Sequence, residues 1–371
     1  MKFTANSVEL QRTLGKLGGV IPTKSTMPIL ENMLFELAGD VLTVTATDLA
    51  ISLTVTLRVK GGEDGRIVVP AKRLVDTIRS LSDTSAVFAI DTTSSRILIT
   101  TDNGEYSLTG ESAKEFPAVP PFTVTSELSI GNEILKRIIH RTAFAVSTDE
   151  LRPAMMGVLL QAKGKELHSV STDGHRLVKL VNKMGKAVSL KKDVIVPAKA
   201  LNIVGRSLDA GDCTISVSDT HVKFAFDTSV LISRLIDEAY PNYESVIPAD
   251  NTKVLTLNRE QTIASIRRVA LYASATTHQI KFDIASQVLN LSAQDVDFGG
   301  AAKETIACTF SGEKLEIGFN SGYVIDILTH LESEQVTFNF STPTRAGIVA
   351  PVAPTEQEEV MMLVMPVRLN N

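Results

Sequence analysis

Hydrophobic and polar positions alternate along much of the chain, and this alternation follows a pattern that occurs three times. One strand-like stretch that ends in aspartate lies at 41–48, at 166–173 and at 288–295, so that its copies are 125 and 122 residues apart. A chain of 371 residues divided in three gives units of about 124 residues, which agrees with both offsets. The sequence therefore predicts three domains, at residues 1–124, 125–251 and 252–371.

Two further features share this period. A strand that runs into a helix lies at 68–78 and 195–204, with a third version at 317–328. Linkers that contain proline begin at Pro117 and Pro241, which are 124 residues apart. Because proline ends regular elements and stiffens connections, these linkers mark the domain joins.

Each unit has the same predicted order of elements. An amphipathic helix comes first; in the first unit its apolar positions are Val8, Leu10, Leu14 and Leu17. Asparagine precedes this helix in every unit, in the position of an N-cap, as Asn6, Asn132 and Asn258. Alternating strands, a second helix and further strands follow. The pattern predicts an α+β fold in which two helices per domain pack on antiparallel sheets.

Composition is that of a globular protein, with 44% hydrophobic and 21% charged residues. The apolar runs are too short for a membrane span, and the N-terminus lacks the apolar core of a signal peptide, so we expect a cytoplasmic protein without a membrane partner. Cys213 and Cys308 lie in strand-like runs, and we expect both to be small buried hydrophobes. No spacing indicates a metal or a cofactor.

The net charge of −5 argues against nucleic-acid binding, but the charge is segregated. Five of the six helical segments carry +2 each, the sixth carries −2, and the rest of the chain carries −13. If the repeats surround an axis, the equivalent helices share one basic surface, which suits phosphates without sequence preference. The candidate DNA-binding residues are Lys24, Arg73, Arg79, Lys136, Arg137, Arg141, Arg152, Lys199, Arg206 and Arg267.

The kind of nucleic acid follows from what the sequence lacks. The chain has no Trp and 5 Tyr, which disfavours a single-strand binder that stacks bases on aromatic rings. It has no helix-turn-helix signature and no zinc-finger spacing. Repeats joined head to tail either close into a ring or continue as a fibre. A closed ring of basic helices inside acidic strands would encircle duplex DNA.

An ordered set of short motifs across the three units resembles the bacterial sliding clamp family, the beta subunit of DNA polymerase III. The resemblance covers the whole chain. It rests on residues 1–4, 28–30, 47–49, 116–117, 171–177, 194–197, 240–243, 318–320, Tyr323 and 365–369.

The resemblance implies a head-to-tail homodimer that forms a ring, with helices around the hole and no catalytic activity. A separate ATP-driven clamp loader would place the ring on DNA. The expected partners are double-stranded DNA, the DNA polymerase III alpha subunit, the clamp loader, and other polymerases and repair proteins, which bind through short linear motifs. For the dimer contact, the resemblance points to the second helix of domain one and the first helix of domain three, and to Ile78, Leu271 and Tyr272.

The resemblance also implies a peptide-binding pocket where domains two and three meet. Its implied walls are Met155, Thr172, Gly174, His175, Arg176, Leu177, Pro241, Val246, Asn320, Tyr323, Thr344, Ala346, Val364, Met365, Pro366 and Val367. Methionine, leucine, valine and proline suit a cleft for a partner's Leu or Phe, and flexible methionines suit several partners. Two departures from the family pattern are Ser245, in place of a basic residue, and the extra residues Asn370 and Asn371 after Leu369.

Two alternatives stay open at the level of sequence. His175 with Asp173 could be a proton-transfer pair of an enzyme, although no nucleophile elbow, phosphate loop or metal spacing accompanies it. The chain could also be a triplicated β-rich adaptor whose basic helices are merely solvated. Turnover of a small molecule would favour the enzyme, and retention on closed circular DNA would exclude both alternatives.

Overall fold

The computed structural model describes residues 1–353 and 355–369, so the two extra C-terminal asparagines lie outside the described residues. Six α-helices lie within them. They are α1 (Ser7–Leu17), α2 (Ala71–Ser80), α3 (Asn132–Thr142), α4 (Ala198–Ser207), α5 (Arg259–Ala270) and α6 (Ser321–Thr329).

The strands of the described residues are numbered in chain order. They are β1 (Lys2–Asn6), β2 (Asn32–Ala38), β3 (Val41–Thr47), β4 (Ile51–Arg58), β5 (Lys60–Glu63), β6 (Gly65–Pro70), β7 (Ser85–Asp91), β8 (Arg96–Thr101), β9 (Gly104–Thr109), β10 (Ser126–Gly131), β11 (Gly157–Lys163), β12 (Glu166–Thr172), β13 (Arg176–Lys183), β14 (Val194–Pro197), β15 (Asp212–Val217), β16 (His221–Phe226), β17 (Ser229–Arg234), β18 (Lys253–Asn258), β19 (Gln279–Ala285), β20 (Val288–Asp295), β21 (Gly300–Ala307), β22 (Thr309–Ser311), β23 (Leu315–Asn320), β24 (Gln335–Phe340), β25 (Gly347–Pro351) and β26 (Glu358–Val364).

The chain forms two compact units, and the division between them passes through α3 and α4. The first unit consists of Met1–Lys136 with Lys199–Leu235, and the second of Arg137–Ala198 with the described residues from Ile236 onward. In the first unit one sheet has the order β5-β1-β7-β8-β9 and the other β10-β15-β16-β17-β4-β3-β2-β6. In the second unit the orders are β14-β11-β12-β13-β26-β25-β24-β18-β22 and β21-β20-β19-β23. Neighbouring strands are antiparallel, for example β4 with β17 and β13 with β26.

Helical periodicity identified the buried faces with one exception. Leu10, Leu14 and Leu17 of α1 are buried, and α1 packs against α2 and β4. In the second unit α5 and α6 pack against each other in the same way. Val8 was expected on the apolar face of α1, but it is exposed because the helical turn of about 100° per residue places it away from the face that buries Ser7, Leu10, Leu14 and Leu17.

Two of the three expected helix caps are confirmed. The side-chain oxygen of Asn6 accepts from the amides of Val8 and Glu9, and that of Asn258 accepts from Gln261. The expectation for Asn132 is wrong, because Asn132 is already the first residue of α3. Its side-chain amide donates to the carbonyl of Asp209. Strand β10 ends one residue earlier, at Gly131, so a glycine occupies the place that asparagine has in the other repeats.

The repeated aspartates form the same turn in all three repeats, as expected. Oδ1 of Asp48 accepts from the amides at positions 50 and 51, Oδ1 of Asp173 from those at 175 and 176, and Oδ1 of Asp295 from those at 297 and 298. A threonine hydroxyl braces the first two turns, since Thr47 and Thr172 each donate to a carbonyl four residues further on. Their counterpart in the third repeat is Gln294.

The described helices include none that is long and apolar enough to cross a membrane. Cys213 is buried, as expected, and burial raises the pKa of its thiol to about 12. Cys308 is only partly buried, so the expectation of full burial is wrong for this residue.

Candidate functional site

A cavity of about 390 Å³ opens on the second unit, where the turn after β12, the segment after Tyr240 and the end of β26 meet. Most of the side chains expected in the peptide-binding pocket line it together. They are Met155, Thr172, Gly174, His175, Arg176, Leu177, Pro241, Val246, Thr344, Ala346 and Met365.

The other expected pocket residues do not line this cavity. The ring of Tyr323 meets the ring of His175 edge to face, with 5.6 Å between centroids, and Asn320 caps the helix that carries Tyr323. Val364 is fully buried in β26. Val367 donates its amide to the carbonyl of Gly318, and Pro366 immediately precedes Val367 in the chain. The geometry places Tyr323 at the rim and gives Val364 a structural role.

Sequence reasoning did not place several lining residues: Asn242, Tyr243, Ser245, Ile247, Pro248, Arg345 and Leu363. Most of them are chain neighbours of expected residues, but Leu363 lies where burial no longer alternates along β26, since residues 362–364 are all buried. Ser245, noted above as a departure from the family pattern, therefore lies in the cavity wall. Tyr243 is buried with its hydroxyl donating to Oε1 of Gln161 at 2.8 Å, and burial raises its pKa to about 12.

The floor of the cavity is part of a hydrophobic cluster. The cluster joins Leu159, Val170, Leu177, Ile195 and Leu363 to Tyr243 and Ala346. Such a floor stabilises an apolar side chain that enters from solvent, at roughly 25 cal/mol per Å² of apolar surface removed from water. The cavity can therefore hold the Leu or Phe of a short peptide.

Arg176 holds the turn in place beside the cavity. Its guanidinium is mostly buried and lies 3.0 Å from the carboxylate of Asp173 and 2.5 Å from that of Asp326. It also donates to the carbonyl of Phe144 and lies over the rings of Phe144 and Tyr323. The carboxylate of Asp173 is thus committed to Arg176 and to backbone amides, and the proposed proton-transfer pair with the His175 ring is not formed.

A larger cleft, about 1040 Å³, lies on the first unit along α2 and includes Tyr106 of β9. Ile78 was expected at a dimer contact, but it is only 1% exposed because it belongs to the core under α2, so this expectation is corrected. Leu271 and Tyr272, after α5, are 82% and 48% exposed. Sequence reasoning missed two exposed apolar side chains of the same domain, Val296 at 80% and Phe298 at 88%.

The candidate DNA-binding residues differ in their exposure to solvent and in whether a carboxylate pairs with them. Five are exposed: Lys24, Arg73, Arg79, Arg206 and Arg267. Four others have a carboxylate partner. Lys136, with Glu133, and Arg137, with Glu358, are half-buried, and Arg152, with Asp149, and Lys199, with Asp48, are exposed. The Lys136 and Arg152 pairs lie at the surface and contribute little to stability, whereas the partner of Arg137 is the buried carboxylate of Glu358.

Arg141 is the exception among these basic residues. Its side chain is 9% exposed and pairs with Glu332 at 3.0 Å and with the buried carboxylate of Glu358. Glu358 also accepts from Asn182 at 3.0 Å. Arg141 neutralises a buried charge, and it does not belong to the candidate DNA surface.

Three family models match consecutive parts of the chain. They describe the N-terminal, central and C-terminal domains of the DNA polymerase III beta subunit, at residues 1–120, 129–242 and 244–368. The beta sliding clamp of Chlamydia muridarum is 30% identical over 100% of both chains. The chain belongs to the sliding clamp family. The Escherichia coli beta sliding clamp is 28% identical over the full length of both proteins.

Solved sliding clamps have the same fold. The DnaN sliding clamp of Bartonella birtlesii, bound to griselimycin, superposes with a TM-score of 0.94 at 29% identity and covers 100% of both chains. The Pseudomonas aeruginosa clamp, also bound to griselimycin, gives 0.93 at 29% identity, again over 100% of both chains. The fold of three clamp domains with helices on antiparallel sheets is thus confirmed. As a member of this family, the chain is a non-catalytic processivity clamp for DNA polymerase, and both alternatives are set aside.

Proposed function

We propose that this sliding clamp encircles duplex DNA as a head-to-tail homodimer and works in the cytoplasm. Its repeating units are residues 1–124, 125–251 and 252–371. Its clients are the DNA polymerase III alpha subunit, the clamp loader, and other polymerases and repair proteins. One observation supports the ring most directly. Among the described residues, β9 and β21 are edge strands that each pair with a single strand, so one edge of each is left unpaired. An unpaired edge favours association with another chain.

The exposed apolar side chains support the same contact. Leu271 and Tyr272 follow α5, and Tyr272 lies beside β21, since a Cβ placed on Gly300 would be 3.5 Å from its ring. Tyr106 of β9 lines the cleft along α2. Each end of the repeat array therefore combines a strand that has one unpaired edge with apolar surface, and a second copy can cover both.

Clients dock, in this proposal, in the 390 Å³ cavity of the second unit. Its apolar floor takes the client's Leu or Phe, and His175 with Tyr323 orients the peptide at the rim. Griselimycin, which two related clamps bind, is expected to bind this chain at the same place and to compete with client peptides.

The experiment that tests the dimer is sedimentation equilibrium of the purified chain. A dimer is expected, and Leu271→Asp should weaken it at least tenfold because the carboxylate would be buried in the contact. Val352→Asp is the matched control, since Val352 is 46% exposed and lies outside the proposed contact. A monomeric wild-type chain at micromolar concentration would overturn the proposal.

A further inference from the structure

Helix α6 breaks the charge pattern of the other helical segments. Its segment, residues 320–332, carries −2 because it contains Asp326 and Glu332 and no lysine or arginine, whereas the other five segments carry +2 each. A surface that binds phosphates does not account for these two carboxylates. Their partners do, because each pairs with a mostly buried arginine of the central domain, Asp326 with Arg176 and Glu332 with Arg141.

Arg176 uses all three nitrogens of its guanidinium for different acceptors. Nε donates to the carboxylate of Asp173 at 3.0 Å, Nη1 to that of Asp326 at 2.5 Å, and Nη2 to the carbonyl of Phe144 at 3.0 Å. A planar group held at three points cannot rotate without breaking at least one of these bonds. Of the three acceptors, Asp326 is the one that the C-terminal domain contributes.

One side of α6 and its C-cap surrounds this guanidinium. Tyr323, Asp326 and His330 lie at positions i, i+3 and i+7, which share one side of a helix. The guanidinium of Arg176 lies 5.0 Å from the centre of the Tyr323 ring and 5.2 Å from that of the Phe144 ring. The ring of His330 stacks on Phe144 at 3.8 Å. The helix therefore fixes this arginine with a carboxylate and with stacked rings.

Arg176 also closes the turn that lines the client cavity. Its amide donates to Oδ1 of Asp173 at 2.9 Å, and its carbonyl accepts from the hydroxyl of Thr172 at 2.7 Å. Thr172, Gly174 and His175 of this turn are part of the cavity wall. Side chains that contact a ligand are placed by the groups that hold them from behind, so a displacement of Arg176 would change the shape of this wall.

We infer that Asp326 is a positioning residue for client binding, because its carboxylate holds Arg176 and, through Arg176, the turn that lines the cavity. This inference rests on the proposed client cavity. It gives α6 of the C-terminal domain a part in shaping a wall that the central domain supplies. Asp326 does not line the cavity itself, so its effect on a client has to pass through Arg176.

Glu332 provides a matched comparison. Its carboxylate is 59% exposed and pairs with an arginine that is 9% exposed, and the corresponding values for Asp326 and Arg176 are 49% and 10%. The arginine that Glu332 holds, Arg141, also pairs with Glu358, which lies at the end of the β13–β26 ladder opposite to the cavity. Loss of either carboxylate removes one ion pair between the two domains, but only Asp326 supports the cavity wall.

Isothermal titration calorimetry with griselimycin tests the inference, at a temperature at which circular dichroism shows every variant to be folded. Asp326→Ala should raise the dissociation constant about fivefold or more, because the turn is no longer held in its binding geometry. Asp326→Glu, which restores a carboxylate, should recover most of the affinity. Glu332→Ala should bind griselimycin as the wild type does. Asp326→Asn replaces the alanine variant if that variant does not fold, with the same expected result.

A double-mutant cycle shows whether Asp326 acts through Arg176. Arg176→Gln alone should weaken binding of griselimycin. Adding Asp326→Ala to it should change the dissociation constant by less than about twofold, because the group that Asp326 holds is already absent. Fully additive effects of the two substitutions would show that Asp326 acts independently of Arg176 and would overturn the inference.

The outcomes separate this inference from the proposed function. If the wild type does not bind griselimycin, or if Met365→Glu binds it as tightly as the wild type, the proposed client cavity is wrong. If the wild type binds and Met365→Glu does not, the cavity stands, and the Asp326 variants then decide the inference. Wild-type affinity of Asp326→Ala, or an equal loss of affinity in Glu332→Ala, would show that the ion pair has no specific positioning role.

Discussion

At the scale of single residues, several charged side chains of this clamp have structural roles that their positions in basic helices do not reveal. Arg141 lies one turn after Arg137 in α3, yet it is buried against Glu358 and Glu332. Breaking a buried ion pair by removing one partner leaves an uncompensated charge, which typically costs about 3–5 kcal/mol.

We therefore expect Arg141→Ala to destabilise the protein by about 3 kcal/mol. The measurement is the free energy of unfolding in urea, with Arg79→Ala as the control, since Arg79 is an exposed arginine of α2 and its loss should change stability by less than about 0.5 kcal/mol. Equal stability of the two variants would contradict the structural role of Arg141.

His330 makes the stability of the second unit sensitive to acid. Burial lowers its pKa below the usual value, and the neighbouring His140 and Arg176 act in the same direction, while the carbonyl and carboxylate of Asp326 oppose them. Its ring stacks on that of Phe144 at 3.8 Å. The folded state thus favours neutral His330, so its contribution is complete above the unfolded pKa of about 6.5 and is lost as the pH falls below it.

The melting temperature should accordingly fall more in the wild type than in His330→Gln between about pH 7.5 and about pH 5.5. His278→Gln is the control and should follow the wild type. If all three proteins lose the same number of degrees, His330 does not contribute to the acid sensitivity.

At the scale of elements, the sequence showed the repeat, the six helices and the aspartate turns, because each leaves a local periodic signal. It could not show which face of a basic helix meets a carboxylate far along the chain, as Arg141 meets Glu358. The resemblance also pointed to Ile78 at a dimer contact, because it indicates the second helix of domain one without telling which of its apolar residues belong to the core. The predicted N-cap at Asn132 was wrong by one residue, because β10 ends at Gly131 and Asn132 already belongs to α3.

The client cavity is built from such elements, and its apolar wall should be needed for binding. Met365→Glu should weaken binding of griselimycin, or of a client peptide, by at least tenfold, because a carboxylate would be desolvated in the cavity. Met27→Glu is the control, since Met27 is similarly exposed and lies in the first unit. Fluorescence anisotropy of a labelled peptide measures both, and unchanged affinity of Met365→Glu would place the client site elsewhere.

The exposed arginines of the helices should contribute to DNA affinity without sequence preference. Replacing both Arg73 and Arg79 by Ala should reduce the slope of log affinity against log salt by about 1 for each phosphate that the variant no longer neutralises. Arg58→Ala is the control for an exposed arginine of a strand. If the Arg58 variant lowers the slope as much as the helix variant does, the DNA surface is not on the helices.

At the scale of the whole molecule, the proposed function depends on a closed ring. Sheet pairing between repeats occurs twice within the described residues, and the unpaired edges of β9 and β21 would allow it to occur again between copies. A ring of two copies would have no free edge at these junctions, which reduces aggregation, and it would hold DNA by topology rather than by affinity.

The most direct test of the ring is retention of the labelled protein on nicked circular DNA after loading by its cognate clamp loader and ATP. We expect the protein to remain on the circle at moderate salt and to leave once the circle is cut, because a ring slides off a free end. Retention after cutting, or loss from the intact circle at moderate salt, would show that binding is electrostatic or absent and would contradict the clamp mechanism.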